Sequence, residues 1–171
     1  MSATTERRTR SGEFISYLFR LCNQDKGSAA RLRRAANPAT EYQSWEVLGS
    51  FGIRLDNDVE RRVHALIAAG LANSRAEKNG TLTLGRAIAL SFPEGNASDQ
   101  ARARLRRLLA CDSAQEACLI LRPLLTLVQS RVPSALDYER LLNDLLWFSD
   151  KTKARWAQQF YTREAREENG L

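Results

Sequence analysis

Apolar residues recur every three or four positions along most of the chain, and no stretch alternates apolar and polar as a strand would. Phe14, Ile15, Leu18 and Cys22 begin the series behind Ser11 as a cap, and Asp25-Lys26-Gly27 ends it. Ser28 is expected to cap a short second helix that Asn37-Pro38 stops. Tyr42, Trp45 and Leu48 share one face of a third helix, closed by Gly49 or Gly52. Asp56 or Asp58 opens a fourth, with Val59, Val63, Leu66 and Ile67 on its apolar side. A loop by composition covers 73–81, and Leu82 to Leu90 makes another short helix.

Pro93-Glu94-Gly95-Asn96 then breaks the chain. Beyond it, Ser98 or Asp99 caps a helix to about Ala110, and Ser113 with Glu116 forms a capping box before a long apolar helix through Val128. Leu119, Ile120, Leu121, Leu124 and Leu125 spread around that helix, the pattern of a central bundle member. Pro133-Ser134 precedes a helix with Tyr138, Leu141, Leu142 and Leu145. The last helix starts near Ser149 or Asp150 and buries Trp156 and Phe160. The expectation is an all-α chain of two packed small helical bundles. Residues 1–10 form a flexible basic arm, 11–92 an N-terminal helical bundle and 98–168 a C-terminal one.

Composition supports this and narrows the partners. With 171 residues and 43% of them apolar, the chain can build a core. Its net charge is +6 at a pI of about 9.6, with arginine far ahead of lysine. That balance points to polyanions, nucleic acid before anionic membrane. No apolar run is long enough to span a bilayer, and Met1 to Gly12 lacks an apolar signal core, so the expected place is the cytoplasm, with no membrane partner.

Catalytic inventories come up short. There is no glycine-rich phosphate loop and no Gly-x-Ser-x-Gly elbow. The one histidine, His64, sits mid-helix. Cys22, Cys111 and Cys118 read as reduced thiols, since zinc needs about four ligands. Asp56 and Asp58 have a structural reason at a helix start. No enzyme, metal or cofactor is expected.

The positive charge is uneven. Residues 1–92 carry 14 basic and 9 acidic side chains, residues 93–171 carry 12 and 11. Lys26, Arg31, Arg33 and Arg34 lie within nine residues that contain no acid. Lys26 precedes the helix start, where the dipole disfavours a cation but backbone N–H groups favour phosphate. Arg102, Arg104, Arg106 and Arg107 flank the apolar stripe of a later helix, where they also suit arginines lying over its border. Lys151, Lys153 and Arg155 make a weaker third cluster, and Arg86 stands alone beside Gly85, which permits close backbone approach. No base-reading motif is present, and the aromatics fall at core spacing. The chemistry favours backbone contact without sequence readout. A helical adaptor that binds an acidic protein surface is the alternative.

Four stretches are similar to one family: Gly27 to Ala35, Leu84 to Ala89, Arg104 to Leu109, and Leu141 to Tyr161 with Trp147, Lys151, Lys153, Trp156 and Ala157. Together they resemble the CasB family, the small subunit of the type I-E Cascade complex, a CRISPR RNA-guided surveillance assembly of bacteria. The resemblance runs over residues 11–161 and leaves out the basic arm; Ile88 stands where a leucine is expected. It implies two packed helical bundles and no enzymatic activity. It also implies two copies packed head to tail, contacts with the backbone and large subunits and with guide RNA, and a hold on both strands of opened target DNA. Arg31, Arg33, Arg34 and Arg86 match the family's basic positions and inherit that DNA-holding role as expectations. Arg104, Arg107, Lys151 and Lys153 are carried over with them.

Overall fold

A computed structural model describes the backbone of residues 3–162 and the side chains of residues 10–162. Residues 163–168, expected in the C-terminal bundle, lie outside the described residues, as do Met1 and Ser2. Among the described residues there are nine α-helices: α1 (Ala3–Gln24), α2 (Lys26–Arg34), α3 (Trp45–Phe51), α4 (Asp58–Asn73), α5 (Leu84–Leu90), α6 (Asp99–Leu109), α7 (Ala114–Arg131), α8 (Tyr138–Leu146) and α9 (Asp150–Tyr161). Short 3-10 helices cover Pro38–Ser44 and Gly95–Ala97. No strand is present among these residues, so the chain is all-α.

Local chemistry starts these helices. Asp25, Asn57, Ser98, Ser113, Asp137 and Ser149 each accept the backbone N–H three residues on. Each such cap is worth about 1 kcal/mol. At α2 the cap is Asp25 rather than the expected Ser28. Ser28 is buried, and its own hydroxyl donates to Asp25 at 2.7 Å. Glu116 returns from the first turn of α7 to accept the Asp112 N–H at 2.8 Å, completing a capping pair around Ser113. Gly52 ends α3 at a φ of 98°, the left-handed conformation that glycine adopts without strain.

Two groups of helices share one continuous core. In the first, α4 is buried from Val63 to Ala72 and packs against α1, α2, α3, α7 and α8. In the second, α5 lies against α9, with α6 and α7 around it. The expected division at residues 93–97 therefore does not separate them: α5 crosses forward into the second group, and α8 crosses back to α1 and α4. Gly85 explains the first crossing. A Cβ there would collide with the Trp156 carbonyl and the Gln159 side chain, so its absence lets α5 and α9 touch backbone to backbone. Asn79 and Gly80 explain the second. Gly80 N–H donates to the Leu136 carbonyl at 3.0 Å, and the Asn79 amide bridges Asp137 and the Tyr138 N–H, pinning the loop before α5 to the start of α8.

Two further expectations change. Residues 3–10, read as a flexible arm, continue α1, because no glycine or proline interrupts the chain before Gly12. Tyr42 and Trp45 do not face the core. Pro38 opens a 3-10 helix instead of an α-helix, and its tighter turn rotates both rings outward while Val47 and Leu48 stay buried. Leu119 also faces outward, so α7 is apolar on one side rather than all round.

Candidate nucleic-acid interface

α2 packs against α4, and each of its arginines spends one donor within the chain. Arg33 donates Nε to the Ala72 carbonyl at 2.9 Å, satisfying one of the orphan acceptors at that helix end. Arg34 donates to Gln43 at 3.0 Å, which ties α2 to the 3-10 segment. Arg31 donates to the Ser28 hydroxyl at 3.0 Å, and its Nε is buried with no acceptor. Lys26 is exposed in the first turn, but the phosphate site expected there is filled from within. Asp25 takes the Ser28 N–H and hydroxyl, and these bonds hold its carboxyl below the usual range.

Arg86 is half-buried on α5. Its neighbour Gly85 is closed off by α9, and Gln159 accepts the Gly85 N–H at 3.1 Å, so that backbone is not open to a ligand. In α9, Lys153 lies over the Phe148 ring at 5.6 Å and 3.9 Å from Asp150. Arg155 pairs with Asp144 at 3.1 Å, which also accepts the Trp156 indole N–H. Lys151 is exposed and lines a groove that also holds Asp137, Glu139 and Asp144. The third cluster is thus close to neutral on its own surface.

The α6 arginines differ. Arg102 is used, donating Nε to the Asn96 carbonyl at 2.9 Å. Arg104, Arg106 and Arg107 make no side-chain hydrogen bond or ion pair among the described residues. Neither does Arg122 of α7, which the charge reading passed over. Arg104 and Arg107 line a small groove with Leu119 and Pro123. Arg122 and Arg62 line an adjoining groove that shares Leu119. The result is a band of arginine crossing α4, α7 and α6, interrupted by the apolar Leu119. A sequence signal for Arg122 exists: it is a lone cation in an apolar run, and no acid stands three or four positions away in either direction.

Nothing in this band is a nucleophile or base. Cys118, beneath it, has its thiol pushed up to about 12 by burial. His64 is packed edge to face on Phe14, and burial lowers its pKa to about 4. No group of three metal-ligating side chains occurs among the described residues, and no helix there is long and apolar enough to cross a membrane.

Residues 28–161 match the sequence profile of the CRISPR-associated protein Cse2 family. The chain belongs to the Cse2 family. A Cse2-family protein from Thermus thermophilus superposes with a TM-score of 0.71 at 28% identity, over 88% of this chain and 97% of that one. CasB from M. ruber gives 0.69 at 25% identity, over 94% and 97%. A chain of a CRISPR RNA-guided surveillance complex shares the fold, with a TM-score of 0.65 at 18% identity over 90% and 92%. No curated protein matches the sequence. The Cse2 match starts inside α2 and ends with the last residue of α9. It therefore contains the whole arginine band and leaves out Lys26.

Proposed function

We propose that this Cse2 chain is the small subunit of a type I-E CRISPR surveillance complex, Cascade, and works in antiviral defence without catalysis. It holds the opened target DNA by its backbone. The observation that carries this is the set of arginines with no side-chain hydrogen bond or ion pair among the described residues, Arg104, Arg106, Arg107 and Arg122, on a chain of net charge +6. Guanidinium forks with no carboxylate to meet are suited to phosphate, and they carry no information about base sequence. Lys26, Arg31, Arg33, Arg34, Arg86, Lys151 and Lys153 belong to the proposed site as secondary contacts, since most of them already serve the fold. The proposed partners are both target strands, guide RNA, the backbone and large subunits, and a second copy of the chain; the proposed place is the cytoplasm.

Strand exchange between guide and target is nearly balanced in energy, so a few backbone contacts tip it. The test is strand-opening footprinting of target DNA by complexes with and without this subunit. Loss of opening with guide RNA loading intact supports the reading. Equal opening at equal complex occupancy overturns it.

A further inference from the structure

Two aromatic rings stand outside the core although their spacing resembles that of core residues. Tyr42 is 58% exposed and Trp45 38%. Their centroids are 6.5 Å apart, nearly edge to face at 81°. Large rings on a surface forgo burial free energy, so their display needs an account.

Trp45 is anchored, and Tyr42 leans edge to face on it. The Trp45 indole N–H donates to Glu41 at 3.3 Å, and the Arg61 guanidinium lies 5.8 Å from the Trp45 ring centroid. Arg61 is itself fixed by Glu41 at 3.2 Å, Asp58 at 2.8 Å and the Leu55 carbonyl at 2.9 Å. Underneath, the buried Ser44 donates to the Glu41 carbonyl at 2.7 Å. Glu41 and Arg61 also form one wall of the groove that Arg62, Leu119 and Arg122 line. The aromatic pair thus sits at the edge of the arginine band. The nearby acids, Glu41 and Asp58, are taken up by Arg61 and Arg62, so within the band Arg62 is paired while Arg122, Arg104 and Arg107 have no carboxylate partner among the described residues.

Exposed π faces beside a row of guanidinium groups fit one kind of ligand best. In single-stranded nucleic acid the phosphates follow the cations while unpaired bases stack on the rings. A duplex keeps its bases stacked inside and has no use for the rings. We propose that Tyr42 and Trp45 form a base-stacking step for single-stranded nucleic acid whose backbone follows Arg62, Arg122, Arg104 and Arg107. This rests on the nucleic-acid reading above.

The test compares two probes of equal charge, an oligothymidylate and an abasic oligonucleotide of the same length, each labelled for anisotropy. The unsubstituted chain should bind both, the thymidylate more tightly. Tyr42→Ala with Trp45→Ala should weaken thymidylate binding about tenfold or more and leave the abasic probe unchanged. Tyr42→Phe with Trp45→Phe keeps the stacking faces and should restore binding, which separates stacking from damage to the fold. Equal loss on both probes, no loss on either, or failure of the Phe pair to restore binding overturns the stacking step. Intact DNA binding with impaired assembly into the complex would make the pair a protein contact and also overturn it. Failure of the unsubstituted chain to bind either probe at low salt would instead remove the nucleic-acid reading itself.

Discussion

The α2 arginines and the α6–α7 arginines look alike in sequence and behave differently in the fold. Both sets sit on helices with a clean apolar stripe, and the α2 set is the denser and freer of acids. Yet Arg33 caps the carbonyl end of α4, Arg34 holds the 3-10 segment, and Arg31 is drawn against Ser28. Arg104, Arg106, Arg107 and Arg122 meet nothing comparable among the described residues. The difference lies in what each helix crosses. α2 packs against α4 and meets its carbonyl end through Arg33, where an unsatisfied carbonyl draws a guanidinium donor inward. α6 packs against α7 along its side, and there the arginines make no side-chain hydrogen bond among the described residues. Charge density along a chain therefore does not say which charges remain available to a partner.

The largest expected effect removes the support both regions share. His64 lies in the α4 core, with a pKa of about 4 against an ordinary 6.5. The unfolded chain takes up the proton first as pH falls. Stability from this residue is therefore complete above about pH 6.5 and declines toward pH 4, by about 3 kcal/mol in total. Urea melts across that window should show the loss, and His64→Phe should flatten it. An unchanged pH profile in the variant would mean that other groups cause the acid sensitivity.

The next effect separates the regions. Replacing Arg104, Arg107 and Arg122 together by alanine should lower the slope of log affinity against log salt for single-stranded DNA by about 2. That amounts to about 100-fold at about 0.1 M salt. The melting temperature should hardly move, because these side chains make no hydrogen bond or ion pair among the described residues. A large thermal shift with unchanged affinity would invert the comparison.

Much of this fold can be read directly from the sequence. Helical spacing finds the α4 and α7 cores, and Ser-x-x-Glu at 113–116 marks a helix start that the structure has. Departures arise where tertiary contacts override local pattern. Gly85 reads as an open approach because the sequence does not reveal α9 lying against it. Tyr42 and Trp45 read as a buried face because Pro38 selects a 3-10 turn, which changes the period from 3.6 to 3.0. Of the candidate site, the residue types are legible and their commitments are not. Arg33 is bound to a carbonyl 39 positions away in the chain, a distance no local rule spans.

Arg33→Ala should act mainly on the fold. It leaves the Ala72 carbonyl without its donor, at a cost of about 1–2 kcal/mol. That is a drop of a few degrees in melting temperature for a chain of this size. Its effect on DNA affinity should stay below about threefold, far less than that of the α6–α7 triple variant. Thermal melts and anisotropy on the same preparations decide between the two roles.

The smallest effect is the sharpest test of what commitment means. Arg31 has one donor on the Ser28 hydroxyl, while its Nε is buried with no acceptor. Burying a donor unpaired is unfavourable by about 1–3 kcal/mol, comparable to or greater than the net gain from one hydrogen bond to a hydroxyl. Arg31→Met keeps the aliphatic stem, removes the orphan donor and gives up the Ser28 bond, whose hydroxyl still donates to Asp25. The two terms oppose each other, so stability should change by less than about 0.5 kcal/mol in either direction. DNA affinity should fall less than for any single substitution in the α6–α7 band. If Arg31→Met instead weakened DNA binding as much as Arg122→Ala at unchanged stability, the outer guanidinium nitrogens of α2 would be reaching phosphate, and the two regions would be one continuous surface rather than a structural set and a binding set.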